Sequence, residues 1–219
     1  MRRRRDDRAP RIGPVDPQRL DTGSADDVVA GARLDGLLIE GLDLAGSDLA
    51  GLALDECRFG PALLDDARLD GLRATDSVLE RVTGTAVRAR GTTLRDVRLE
   101  GCRFGAAEWF DAQWDRVNLD GCRIDYLSLA DSRLTDVLLT GCTLGELDLR
   151  GATVRRLALT DCRVADLSLA GADLQHLDLR GAELERIDGV LALRGAIVSE
   201  EQLVRLAPLL AEAVGVEVG

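Results

Sequence analysis

Four of the five cysteines, Cys102, Cys122, Cys142 and Cys162, recur at intervals of twenty residues. Thiols at a fixed spacing suggest metal ligation, disulfide formation or simple core filling. Zinc needs four ligands converging on one point. Residues at a constant interval in a regular structure stack as a straight ladder, and a ladder does not converge. A disulfide between successive rungs is geometrically marginal but not excluded. We read the four as buried small hydrophobes, which also fits a reducing cytosol. The one histidine, His176, falls at an outward position, where it is solvated. Asp65 and Asp66 form a carboxylate pair, yet nothing around them builds the pocket that acid–base chemistry needs. There is no glycine-rich phosphate loop and no nucleophile elbow. These residues imply no catalytic site, no metal and no cofactor, and the expectation is a protein that is not an enzyme.

The element that carries the cysteines is a repeat. Every fifth residue from Leu34 to Leu184 is taken from one series of 31 positions, without insertion. Only Ala74, Gly84 and Ala89 in it are not large apolar residues. A second series lies two residues earlier, from Ala32 to Ile187, and contains no charge. The remaining three positions of each five are polar, glycine or small. Two inward residues flanking one outward residue, then a two-residue corner, describe a short strand and a turn. Repeat glycines recur at that corner, where a positive φ is wanted.

Local segments such as Ala172-Asp173-Leu174, Leu147-Asp148-Leu149 and Leu177-Asp178-Leu179 follow an A(D/N)LXX pattern. Over residues 31–188 the chain resembles the pentapeptide-repeat family. The resemblance implies an all-β solenoid: a right-handed quadrilateral β-helix with one pentapeptide per side and four per coil. Thirty-one repeats then make about eight coils and a rod roughly 37 Å long. Sorting by twenty tests this. The earlier inward position reads Cys102, Cys122, Cys142, Cys162 on one side and Ala112, Ser132, Ala152, Ala172 on the opposite side. Val117, Val137, Leu157, Leu177 and Leu127, Leu147, Leu167, Ile187 fill the other two. Small against small and large against large fills a square core. One coil, residues 74–93, looks under-filled. The next brings Phe104, Trp109 and then Trp114, read as compensation between coils, with local distortion as the alternative.

A solenoid leaves open ends that need caps. Residues 1–30 are expected to be a structureless, Arg-rich start followed by a cap, with Pro17 to Ala30 over the first coil. Residues 189–219 are expected to form a helical module. Ser199 opens it as a capping box, and Leu203, Leu206, Leu209, Leu210 and Val214 follow at helical spacing. Pro208 should kink or split this helix. It is read either as a cap or as a homodimer helix; in gyrase-binding relatives such a module makes dimers. No apolar run approaches the ~18 residues of a membrane span. The first twenty residues lack the apolar core of a secretory signal, so a cytoplasmic location is expected.

Net charge is −11, and every basic residue is arginine. Residues 1–19 hold seven Arg against three Asp, and the other 200 hold 21 Arg against 36 acids. An acidic body repels nucleic acid, so direct binding by the rod is not expected. The Arg2–Arg5 run is a solvated terminus or a phosphate-binding arm. Two functions remain. One is a scaffold or protein-interaction module of undefined partner. The other comes from the resemblance: an acidic DNA-mimic rod that binds DNA gyrase or a topoisomerase and inhibits it or protects it from quinolone-type poisons. The acidic face for that role is the side carrying Asp43, Asp65, Asp66, Asp125, Glu146 and Asp166. Nineteen Arg among 28 acids in residues 32–187 speak against an uninterrupted mimic of a duplex. One acidic stripe would favour mimicry, and scattered ion pairs would favour the scaffold.

Overall fold

A computed structural model describes residues 7–216. The chain winds into a parallel β-solenoid of about eight coils, closed by one C-terminal helix. Register runs in steps of twenty, with Leu94 beside Trp114, Trp114 beside Leu134 and Leu134 beside Val154. The coils form two sheets, of 11 and 8 strands. We number the four sides by their central residues: Leu34 on side one, Ile39 on side two, Leu44 on side three and Leu49 on side four.

From the third coil on, sides one and two share a single eight-residue strand, as in Thr93–Glu100, Gln113–Asp120, Arg133–Thr140 and Thr153–Thr160. Side three and the start of side four share six-residue strands such as Arg103–Glu108 and Arg123–Ser128. The shared strand turns its corner through one left-handed residue. That column reads Asp96 (φ 51°), Arg116 (φ 56°), Asp136 (φ 55°), Arg156 (φ 63°) and His176 (φ 62°). Aspartate tolerates this conformation and arginine tolerates it less well. At the corner between sides two and three, Gly101, Gly121 and Gly141 supply φ near +60° without a Cβ penalty.

Both inward series form the core. Every member of the central series is buried except Leu174 and Leu184, which are partly so. The earlier series is buried without a break from Leu52 to Leu167. Trp109 and Trp114 point inward without disturbing the register. Phe104, Trp109 and Trp114 stack edge to face, with centroids 5.6 and 5.7 Å apart. Phe104 lies beside Gly84 as compensation requires. A Cβ on Gly84 would stand 2.7 Å from Val87 Cγ2 and 3.0 Å from the Leu64 carbonyl, so that space is already taken. What stays unfilled is a cavity of about 20 Å³ lined by Leu79, Ala89, Leu99, Phe104 and Trp109, among others. The Trp114 indole donates to Thr92 Oγ1 at 3.3 Å, whereas the Trp109 indole N–H has no partner among the described residues.

Both ends are covered. At the start, Asp21–Thr22 pairs with Leu37–Leu38. A 3-10 turn, Ala25–Asp27, follows, and Val28 closes onto the core at 4% exposure. At the finish, the Ile197 amide donates to Leu177 and its carbonyl accepts from Leu179. The helix Glu200–Ala213 begins on the Ser199–Gln202 capping box. Gln202 Nε2 also donates to the carbonyls of Leu179 (2.6 Å) and Ala182 (2.7 Å), sealing two strand-edge acceptors of the last coil. The helix runs through Pro208 as one element, contrary to the expected break. The carbonyl that Pro208 leaves without a donor belongs to Val204, a residue 74% exposed, and water can serve it.

Two expectations need correction. The segment expected to be structureless is, over residues 7–20, laid along the rod; Arg2–Arg5 lie outside the described residues. The Arg11 amide donates to Asp136 Oδ1 at 2.8 Å, and Asp16 accepts from Arg58 at 2.9 Å. The outward positions are also not uniformly polar or small. On side two they include Leu38, Val78, Leu138 and Ala158. Val78 is 1% exposed although it lies between the inward Ser77 and Leu79, next along this side to Arg58, which Asp16 of the crossing segment holds.

Candidate functional site

The sequence offers an outer surface rather than a pocket. On side three, Asp43, Asp66 and Asp125 are exposed, and Asp65, Glu146 and Asp166 are half-buried. They do not act as one acidic stripe. Asp65 accepts the Thr85 amide at 2.7 Å, and Asp43 accepts the Ala45 amide at 3.1 Å. Asp166 is clasped by Arg186, which lowers its carboxyl below the usual range. Arg123 reaches Asp125 at 3.9 Å, and Arg103 stands in the same column without a partner among the described residues. Of these six, Asp43, Asp65, Asp66 and Glu146 have no ion pair among the described residues, and Asp66 and Glu146 accept no hydrogen bond either.

Around the rod the same pattern repeats, because parallel strands in register put residues twenty or twenty-two apart side by side. Arg116 holds Asp96 through two bonds of 2.6 Å. Arg98 meets Asp120 at 2.7 Å, Arg163 meets Glu183 at 3.0 Å, and Arg68 meets Asp48. Among the arginines between 32 and 187, only Arg73, Arg103, Arg133 and Arg155 lack a carboxylate partner among the described residues. Single exposed pairs contribute ~0–1 kcal/mol each. Their larger effect is to offset part of the acidic charge and to break up any continuous acidic stripe.

One pair is different. Arg156 and Asp136 make two bonds, of 2.5 and 2.6 Å, with side chains only 8% and 6% exposed. Burial acts to raise the Asp136 pKa, but the Arg156 guanidinium and the Arg11 amide together outweigh it and the carboxyl titrates below its ordinary range. The pair bridges two corner residues in left-handed conformation, which offsets the strain at Arg156. Sequence reasoning missed it. The signal was the alternation Asp96, Arg116, Asp136, Arg156 at steps of twenty.

The cysteine ladder is wholly internal. All five cysteines are free and buried. Each rung points its sulfur at a leucine carbonyl of the preceding coil, at 3.4 to 3.5 Å from Cys102 to Cys162. Cys122 and Cys142 are pushed up to about 12, chiefly by the neighbouring thiol one coil earlier. We therefore expect no native reaction with an alkylating thiol reagent at pH 7, and five modified thiols after denaturation without reductant. A lower count would reveal a disulfide. Among the described residues no group of three His, Cys, Asp or Glu is placed to hold a metal ion. His176 is exposed. Phe110, 36% exposed, lies under Arg90 at 5.5 Å, and Tyr126 donates to Asp148 at 3.4 Å.

The C-terminal helix presents a second surface. Leu206 is buried against the last coil and Leu210 is half-buried. Leu203 (51%), Leu209 (39%) and Val214 (64%) face solvent, with Val204 (74%). Among the described residues no helix is long and apolar enough to cross a membrane.

A solenoid of unbroken five-residue units, four to a coil, defines the class. A family model described as pentapeptide repeats matches residues 148–188, in 8 copies. Residues 148–188 are thus a run of pentapeptide repeats, and the solenoid continues the same five-residue unit back to Leu34. Solved structures similar to it include full-length QnrB1, a plasmid-mediated fluoroquinolone resistance protein, at 19% identity. That alignment covers 90% of this chain and 95% of QnrB1, with a TM-score of 0.36. Another is HetL, a pentapeptide repeat protein involved in heterocyst differentiation regulation from the cyanobacterium Nostoc sp.. It is 19% identical over 75% of this chain and 84% of HetL, with a TM-score of 0.34. No curated protein matches the chain.

Proposed function

We propose that this protein is a non-enzymatic, rigid interaction rod that binds a protein partner through its outward side chains. The observation that carries the reading is the ladder of ion pairs between coils. It holds side chains in register at ~4.8 Å spacing while breaking up the acidic stripe that a duplex would present. Formaldehyde capture from host extract tests it, with charge reversals confined to one side at a time. A partner lost with one side's variant and retained with the others supports the reading. Capture that no side's variant alters would overturn it.

A second reading, a DNA mimic that binds gyrase, is favoured by one feature: the body is acidic, and Asp66 and Glu146 keep free carboxylates on side three. The C-terminal helix is in either case read as a homodimer interface as well as a cap, since Leu203, Leu209 and Val214 stay exposed. Deleting residues 199–219 strips Gln202 from the Leu179 and Ala182 carbonyls and uncovers the last coil. The expected result in light scattering is aggregation, or a dimer reduced to monomer. A truncated chain of unchanged solution mass per protomer count and solubility would contradict both roles. The buried free thiols suit a reducing cytoplasm.

A further inference from the structure

We propose that side two of the rod is a docking surface for an extended, proline-containing protein segment, and that residues 7–20 occupy it in cis as a displaceable strap. The proposal rests on the reading of the rod as an interaction module and narrows it to one side.

The strap is built to lie on a sheet without joining it. Pro10, Pro14 and Pro17 remove three backbone donors and hold the chain extended. Its two ends are hooked. The Arg11 amide donates to Asp136 on the sixth coil, and Asp16 accepts from Arg58 on the second. Asp21 then enters the sheet beside Leu37 on the first. Sixth to first coil is about 24 Å at the strand spacing, within the ~33 Å reach of ten extended residues. Pro10, Ile12, Val15, Pro17 and Leu20 are half-buried along this path, and the residues between them are exposed.

The surface beneath matches that chemistry. Side two is the side whose outward column carries Leu38, Val78, Leu138 and Ala158. On the coils between its hooks, Arg98 Nε and Asn118 Oδ1 of this side are buried without a hydrogen-bond partner among the described residues. Arg58 and Asp16 form a pair 28% and 64% exposed, a weak clasp. A cover that is specific at its ends, spans coils with unsatisfied polar atoms and is unpaired with the sheet is one that a better-fitting segment can replace. The displacing partner would carry spaced apolar residues, prolines and a carboxylate for Arg58. It must compete with a tethered strap present at an effective concentration in the millimolar range.

The test uses the full chain and a fluorescent peptide of residues 7–20 as probe. Ile12→Asp, Val15→Asp and Asp16→Arg, made together in the strap, release it without touching the surface. Trypsin should then cut after Arg11 and Arg19 faster than in the unaltered chain, with unchanged β circular dichroism. The peptide should bind the released chain roughly tenfold or more tightly than the unaltered one, the factor set by the fraction of molecules with the strap open. Arg58→Glu in the released chain should weaken it, and a peptide carrying the three substitutions should not saturate. Equal affinity for both chains, no binding to the released chain, indifference to Arg58→Glu, unchanged trypsin cutting, or loss of the β signal on release would each overturn the proposal. None of these touches capture through the other sides, so this failure and that of the interaction rod stay separate. Should the triple variant not express, Asp16→Arg alone gives the same comparison at smaller amplitude.

Discussion

Leu149→Asp abolishes folding of the rod. Leu149 is fully buried, at 0% exposure, in a coil whose only reach to solvent is through the backbone. The substitution removes a buried leucine, worth about 2–5 kcal/mol. It also places a carboxylate where no cation can reach it, at an effective penalty of several kcal/mol. The sum meets or exceeds the ~5–15 kcal/mol that holds a domain together. Leu144→Asp, at 1% exposure on the adjoining side, should behave in the same way. Thr143→Asp, outward and exposed next door, should change stability by no more than about 0.5 kcal/mol. Expression, solubility and far-ultraviolet circular dichroism of the three decide the matter. A soluble Leu149→Asp protein with unchanged β signal would contradict the inward assignment of the whole central series.

Asp136→Asn gives the second large effect. It retains the side-chain shape and a residue type that tolerates left-handed backbone, and removes the charge together with one of the two oxygens that accept from Arg156. Arg156 is then left buried with a neutral partner. Breaking a buried pair from one side costs about 3–5 kcal/mol. The pH dependence follows from the direction of the shift. Asp136 titrates below its ordinary value because Arg156, with the Arg11 amide, outweighs burial. Its stabilisation is therefore complete above the unfolded carboxylate pKa of ~3.9 and is lost as pH falls through the lower folded value. Urea unfolding of both proteins at pH 7 and again near pH 3 should show a large difference at the first and a reduced one at the second, shrinking further as the pH is lowered. Equal stabilities at pH 7 would mean that the pair is neutral to folding. The exposed pair of Arg163 and Glu183, 62% and 71% exposed, serves as the control and should show little at either pH.

The core of this fold was readable because burial in a solenoid has a period of five, and apolar character reports burial directly. The end caps were readable in part, since Ser199 and Gln202 carry a capping pattern whatever they cap. The strap was not. Its apolar residues, Ile12, Val15 and Leu20, have no period, and proline suppresses the strand pattern that would have announced contact with a sheet. The matching signal lay elsewhere, in Leu38, Val78 and Leu138, three apolar residues at outward positions of one side. The charge arithmetic was likewise only half informative. It counted acids and arginines by side, but cancellation depends on register, and Asp166 with Arg186 or Asp96 with Arg116 become pairs only once the coil length is twenty. Pro208 was misjudged because a proline costs a helix one hydrogen bond, and an exposed carbonyl can recover it from water.

The most direct test of the account is DNA supercoiling by purified gyrase from the matching host, with rising amounts of this protein, with and without a fluoroquinolone. A rod whose acidic surface is interrupted by arginine ion pairs should leave supercoiling and its poisoning unchanged up to micromolar protein. Inhibition or protection at or below that level would contradict the interrupted surface and make side three, at Asp66 and Glu146, the binding face.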